Sequence, residues 1–549
     1  MSPSPIDHPE AIIYDLVGLG FGPANLAIAG ALVERWQSSD NNSCVTPVNT
    51  ALFLEKHDKF RWHPGMLLPG ARMQISFMKD LATLRSPQSP ITFLAYLHSQ
   101  NRLVAFINRG STIPTRKEYA DYLSWAAKFV GDNGVSVMYG REVIGISKGQ
   151  DDTLQIRSRD VATGEERVVR ARDLVISPGG APRIPESLKP LSKHPFVIHS
   201  SEYITTIDTV LGSFAPGGRP LRIAVIGSGQ SAAEVTMDLR DRLTSVPAAG
   251  SRHEVNMLIR KGSLKPSDDS PFANEIFDPA STNTWFDMPS DRIRDSRLSE
   301  YKSTNYGVVN PRTLEMLHEI IYEQNLDDDI AQRTDATSSS QPHIKIIPYT
   351  SVISTSMLDE CFPSDLLLSA ETKNPTQNTS TFVVITQNLI SRVMTELRYD
   401  FVVCATGYQR SAWTDLLKSS DIAEYFGLHG TSQTVNLLPE NRRSSTRHNG
   451  SRPTSVSNCS TPPTSPGPST FPSMHIDSQI PDTVYISRNY QLLPCCPEAS
   501  GDGDVPFKAR IYLQGVEEAT HGLSDTLLSV LGIRAGEVVT DLCNGKIRH

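Results

Sequence analysis

Two segments of the chain carry the same pattern of apolar and small residues. YDLVGLGFGPANLAIAGAL begins at Tyr14, and LRIAVIGSGQSAAEVTMDL begins at Leu221. Each is an apolar run, a glycine-rich turn and a stretch of small residues, predicting a buried strand, a tight turn and a helix. A second strand comes after each unit, in TALFLEKH (50–57) and in HEVNMLIR (253–260). Between them, TRKEYADYLSWAAKFV (115–130) places Tyr119, Tyr122, Leu123, Ala126 and Ala127 on one face of an amphipathic helix. Short strands are expected over 135–178, and DLVISPGG (173–180) and DFVVCATGY (400–408) read as parallel strands dropping into turns. Helical segments are expected to about 326, then a loop over 327–343. Residues 431–475 are rich in Ser, Thr and Pro with few bulky aliphatics, so they are expected to be a disordered insertion. Order is expected to return at DTVYISRNYQLLP.

Composition narrows the class. The 549 residues suit two or three domains, and 38% hydrophobic with 20% charged residues is globular. A net charge of -8 argues against a general nucleic-acid binder. No apolar run reaches the ~18 residues of a membrane helix. MSPSPIDHPE lacks the basic start and apolar core of a signal peptide, and NGKIRH is not an organelle address, so a soluble cytoplasmic protein is expected. The seven cysteines are odd in number and scattered, which is no disulfide framework, and Cys495-Cys496 lacks a second pair at zinc spacing.

The two glycine turns lead to second strands with different ends. Gly18, Gly20, Gly22, Pro23 and Asn25 form the first turn, where glycines admit a pyrophosphate and the helix start supplies N–H groups. Glu55 ends its second strand, and a carboxylate there suits a ribose diol, so this turn fits the adenosine half of FAD. Gly227, Ser228, Gly229, Gln230 and Ser231 form the second, but its second strand ends in Arg260-Lys261. A guanidinium there suits a 2′-phosphate and points to NADPH. Gly407, in the turn after DFVVC, is a further cofactor position. The expected fold is α/β, with two Rossmann-like dinucleotide-binding domains (FAD and NADPH) and a smaller substrate-binding region. The expected boundaries are 1–215 for the first part of the FAD domain, 216–395 for the NADPH domain and 396–430 for a return to the FAD domain. After the insertion, 476–549 is expected to form a C-terminal FAD and substrate part.

RWHPGMLLPGARMQISFMKDLATLRSPQSPITFLAYL (61–97), KPSDDSPFANEIFDP (265–279), STNYGVVNP (303–311), DFVVCATGY and IYLQGVEEATHGLSDTLLS (511–529) then extend the pattern. Together they resemble the L-ornithine N5-monooxygenases of fungal siderophore synthesis, which are N-hydroxylating flavin monooxygenases. The likeness covers most of 10–430 and 480–540; the Ser/Thr/Pro insertion and CCPEASGDGDVPF fall outside it. It implies that NADPH reduces FAD and that O2 adds at the flavin C4a carbon. The resulting hydroperoxyflavin hydroxylates the side-chain amine of L-ornithine, giving N5-hydroxy-L-ornithine for hydroxamate siderophores. It also implies a homotetramer, with no metal, no nucleic acid and no membrane.

Residue by residue, the resemblance puts Lys79 near the substrate carboxylate, Asn274 on the α-groups, and Ser524 near the α-amino end. Asn305 would touch nicotinamide and substrate, Gln74 would lie beside the flavin ring, and Arg260 would read the 2′-phosphate. Each has a plainer reading: a Lys79-Asp80 surface ion pair, Asn274 or Ser524 as a helix cap. Gly307 stands where Ser is more usual in the resemblance, and Asp278 where Asn is. The substrate ammonium, with a pKa of roughly 10, must lose a proton before reacting. His63 and His521 are candidate acceptors by type alone, and no base is assigned. Activity is therefore expected to rise into the mild alkaline range. A lysine N6-hydroxylase remains open, because one methylene is worth only about 1–3 kcal/mol. Another class B flavin monooxygenase also remains open. A disulfide reductase is excluded, since Cys44 stands alone after the first unit.

Overall fold

The structure, a computed structural model, describes residues 12–38, 47–215, 218–335, 339–358, 381–429, 434–443, 481–495, 508–523 and 527–544. The strand Ile13–Leu19 is covered on both faces, which is why it reads as an apolar run. Leu16 enters one core, and Val17 and Leu19 enter the core behind it. The strand runs parallel to Ala51–Leu54 on one side and to Glu166–Ile176 on the other. Ser136–Met138 extends the parallel set beyond Ala51–Leu54. Arg510–Leu513 joins it beside the C-terminal half of Glu166–Ile176, so residues near the end of the chain complete a sheet begun at Ile13. Arg141–Lys148 and Leu154–Asp160 form an antiparallel extension on the other half of that strand.

Three helices cover one face of this sheet: Pro23–Gln37, Arg116–Asp132 and Leu531–Asn544. The first is buried almost continuously from Asn25 to Val33, which explains its small residues. The second is capped by Thr115, whose Oγ1 accepts from the Glu118 N–H at 3.1 Å, and the Glu118 carboxylate pairs with Arg102 and Arg109. Its buried face carries the Tyr119, Tyr122, Leu123, Ala126 and Ala127 stripe expected from the sequence.

The second sheet is wholly parallel, in the order His343–Ile347, Glu254–Leu258, Arg222–Ile226, Phe401–Cys404, Val197–His199. Two of these strands lie outside the expected boundaries. Val197–His199 falls within 1–215 and Phe401–Cys404 within 396–430, yet both pair into the second sheet. An apolar strand reads alike wherever it docks, so its partner sheet is invisible in sequence. The antiparallel strands Thr350–Leu358, Thr381–Asn388 and Met394–Tyr399 precede the return to Phe401–Cys404. A small third core gathers Trp285, Leu298 and Leu523, with Ile276 and Phe277 against it. It ties the segment after the second nucleotide unit to the C-terminal part.

Two other expectations need correction. The loop expected over 327–343 is helix at its start: Pro311–Thr334 is one helix, with Ala331 buried and Asp328 held by both terminal nitrogens of Arg252. Charged residues at 327–329 suit an exposed helix face as well as a loop. Part of the insertion expected over 431–475 is strand: Val435–Pro439 pairs in parallel with Asp482–Ile486 and buries Leu437. Residues 444–475 lie outside the described residues.

Candidate functional site

The first glycine turn is shaped by three different demands. A Cβ at Gly18 would fall 2.2 Å from the Phe53 ring, and one at Gly20 would fall 2.5 Å from the Ser177 carbonyl oxygen. Gly20 also has φ +79°, where only glycine is unstrained. At Gly22 a Cβ would meet nothing within 4 Å. Gly22 is the N-cap of Pro23–Gln37 and no side chain caps that helix, so its first N–H groups face an open cradle. Glu55 reaches the same turn, accepting from the Phe21 N–H at 2.8 Å through one oxygen and from the His57 N–H at 3.0 Å through the other. These features fit the phosphates and ribose of a dinucleotide. Asn25 works from beneath: it is fully buried, and its amide donates to the carbonyls of Leu19 and Gly20. It braces the turn and does not open onto the cradle.

The second turn repeats the arrangement. Gly227 has φ +144° and sits under the Ala405 carbonyl, and Gly229 caps Gln230–Leu243 with no side-chain partner. Gln230 is engaged inward, receiving the Asn310 N–H and donating to Glu234 and Thr313. Ser228 Oγ lies beside Gly307, and Ser231 is half-buried. Arg260 is exposed and has no hydrogen-bond or ion-pair partner among the described residues. Its neighbour Lys261 donates to the Gly307 carbonyl at 2.8 Å, and burial, then the charge of Lys265, pushes its pKa down. Gly307 has φ +64°, which accounts for glycine there in place of the more usual serine.

The expected substrate residues come next. Lys79 is half-buried, and no carboxylate pairs with it among the described residues. Its ammonium lies 5.6 Å from the Phe277 ring centroid, and burial lowers its pKa. A Lys79–Asp80 pair does not form. Asp80 is buried and accepts from the backbone N–H groups of Ala82, Thr83 and Phe93. Asn274 ends the short helix Pro271–Asn274, whose cap is Ser270. The Asn274 amide donates to the carbonyls of Asp269 and Ser270, leaving Oδ1 open. Asn305, at the end of Asp291–Asn305, likewise donates to Tyr301 and Thr304. Phe277 thus brings the Asn274 segment to Lys79, across some 200 residues of sequence. Asp278 accepts from the Ala280 N–H and serves its own turn. Ser524 lies outside the described residues. Gln74 is exposed, and Gly407, with φ +77°, offers its carbonyl to the Arg183 N–H and to His199.

The two histidines separate. His521 is sealed, stacked on Tyr490 at 4.3 Å, with both ring nitrogens engaged by Thr520 and the Arg488 carbonyl. His63 is open to solvent on one side and walled by Trp62 and Tyr408 on the others. Its pKa is pushed down, by crowding of the ring first and then by the charges of Arg116 and Arg410, although its outer edge is exposed.

The model of the L-lysine 6-monooxygenase/L-ornithine 5-monooxygenase family matches residues 12–410. The L-ornithine N(5)-monooxygenase of Coprinopsis cinerea is 54% identical over 545 residues, covering 97% of this chain and 98% of that protein. The chain belongs to this family. A solved ornithine hydroxylase from Pseudomonas aeruginosa superposes with a TM-score of 0.69 at 31% identity, over 97% of this chain and 99% of that one. An ornithine N-hydroxylase from Kutzneria, solved with reduced FAD, NADP+ and L-ornithine, gives 0.68 at 28% identity, over 97% and 99%. Within the family frame, two groups escaped the sequence reading. Glu234 bridges Gln230 to Arg116 of the first half, and Glu518 receives Lys302 and Tyr306 from one segment and Arg410 from another. Glu234 leaves one trace in sequence, an acid on a helix face otherwise buried; Glu518 leaves none. Among the described residues no cluster suits a metal, and no helix is long and apolar enough to cross a membrane.

Proposed function

We propose that the chain hydroxylates the side-chain amine of L-ornithine, using FAD, NADPH and O2, and gives N5-hydroxy-L-ornithine for hydroxamate siderophore assembly. The observation that carries the substrate assignment is Lys79, a half-buried cation without a carboxylate partner among the described residues, beside the Asn274 segment in a chain that carries two open dinucleotide cradles. An α-amino acid supplies the missing carboxylate and restores favourable charge at Lys79. Asn274 and Asn305, with their amide N–H groups spent on backbone and hydroxyl acceptors, present Oδ1 to an ammonium or amide donor. Bound FAD supplies the activated oxygen when reduced. Gly22 and Gly229 leave helix N-termini open for phosphates, Glu55 orients the first turn, Gln74 and Gly407 border the flavin position, and Arg260 meets the 2′-phosphate. Ser524 completes the α-amino end. Of the two candidate histidines, His63 is exposed beside Trp62 and Tyr408, whereas both ring nitrogens of His521 are already engaged. The assembly is a cytoplasmic homotetramer.

The test is to supply FAD, NADPH and air, then compare L-ornithine with L-lysine, measuring hydroxylated amine separately from NADPH loss. Hydroxylated ornithine with little from lysine is expected. Equal product from both would overturn the ornithine assignment, and peroxide alone would overturn amine hydroxylation while leaving FAD and NADPH standing.

A further inference from the structure

Tyr349 stands where the fold alone has no need of a tyrosine. It comes just after the strand His343–Ile347 at the carboxyl edge of the second sheet, the edge on which open α/β sheets bind ligands. Its backbone has φ +52°, a left-handed conformation that is costly for a bulky residue. Backbone bonds fasten it there: its N–H donates to the Lys261 carbonyl at 3.1 Å, and its carbonyl receives the Leu389 N–H at 2.7 Å. The phenol lies over Gly262, where a Cβ would come within 2.2 Å of Oη and 2.5 Å of Cζ. Even so, 41% of Tyr349 remains exposed. A strained aromatic is thus held half in solvent, bonded to the backbone of Lys261, the residue after the exposed Arg260, which is unpaired among the described residues. Glycine at 262 leaves the room that the ring occupies.

We infer that Tyr349 is a nucleotide-binding residue, its ring forming the adenine platform of the second site beside the Arg260 guanidinium. The inference rests on reading Arg260 as the 2′-phosphate cation and adds to it the base-recognition surface. An aromatic face stacks on a nucleobase, and a neighbouring guanidinium stacks as well as pairing with phosphate. Strain at a binding residue is held by the surrounding ladder, here the bonds to Lys261 and Leu389. That gives a signature opposite to a structural role. Tyr349→Asn, suited to the left-handed region, relieves strain while removing the stacking face.

The test is calorimetric binding of 2′,5′-ADP and of 5′-AMP to FAD-loaded protein, with melting temperature measured alongside. The native chain is expected to prefer 2′,5′-ADP, and Arg260→Ala to lose that preference. Tyr349→Asn is expected to weaken both ligands about 10-fold without lowering the melting temperature, and Tyr349→Phe to bind as the native chain does. Gly262→Ala, which displaces the phenol, is expected to weaken both ligands and carries the test if the Asn variant does not fold. Native-like binding by both Tyr349→Asn and Gly262→Ala overturns the inference and leaves Arg260 standing. A native chain that does not prefer 2′,5′-ADP overturns the Arg260 reading instead, and one that binds neither ligand overturns both.

Discussion

Arg116 and Glu234 meet through two hydrogen bonds, 2.6 and 3.1 Å long, from the start of a helix in the first half of the fold to a helix in the second. Both side chains are largely buried, and Glu234 also receives Gln230. The pair therefore locks the two nucleotide units in one relative position. Removing one partner leaves a charge without its counterpart, at ~3–5 kcal/mol. Glu234→Ala is expected to lower the denaturant midpoint substantially. An unchanged midpoint would show that other contacts hold the two halves.

Lys79 is the second target. Lys79→Gln keeps the length of the side chain and removes the charge. A hydrogen bond between charged partners contributes ~1.5–3 kcal/mol, so KM for ornithine should rise about 10- to 100-fold, with kcat changing less. Steady-state kinetics decide it; a loss confined to kcat would move Lys79 away from the carboxylate.

Opposed titrations set the pH profile. The substrate ammonium must deprotonate, so activity rises with pH on the acid side. In the proposed carboxylate role Lys79 must stay protonated, and burial lowers its pKa, so its cation is lost at a lower pH than an exposed lysine's. The profile of kcat/KM should fall again on the alkaline side. Lys79→Arg keeps its charge throughout and should remove the alkaline fall. An alkaline limb that persists in that variant would assign it elsewhere.

Gly20 and Gly22 sit two residues apart and should respond differently. Gly20→Ala forces a Cβ against Ser177 at a left-handed position and should destabilise the fold by ~1–3 kcal/mol. Gly22→Ala meets open space at φ -82°, so the fold should hold while FAD affinity drops. Melting temperature and flavin titration separate the two. Native FAD affinity in Gly22→Ala would place the phosphates away from this helix start.

Glu518 receives Lys302 at 2.5 Å, Tyr306 Oη at 2.8 Å and Arg410 at 3.7 Å. It steadies the Asn305–Gly307 turn against the turn after Gly407. Glu518→Ala should lower the yield of hydroxylated product per NADPH consumed several-fold, since a loosened turn shields the reacting centre less well. Equal yield would confine Glu518 to a role in stability.

Much of this was legible in the chain itself. The two glycine turns, Glu55, Arg260 and the Tyr119–Ala127 helix face come from local spacing, because a strand, a turn and a helix are specified within about twenty residues. The proposed substrate residues Lys79 and Asn274 came through resemblance and not through any pattern of period or charge. The sequence also misplaced Val197–His199 and Phe401–Cys404 by domain, and read the start of 327–343 as loop.

By itself, then, the sequence determined the local units and the contrast between an acid and a base at the ends of their second strands. Tertiary structure decided the rest: which sheet each apolar strand joins, that Phe277 reaches Lys79, that Asp80 turns inward, and that His521 is sealed while His63 is open. The physical reason is range. Propensity and periodicity act over a few residues, whereas burial and charge pairing depend on groups that only folding brings together, as with Arg116 and Glu234.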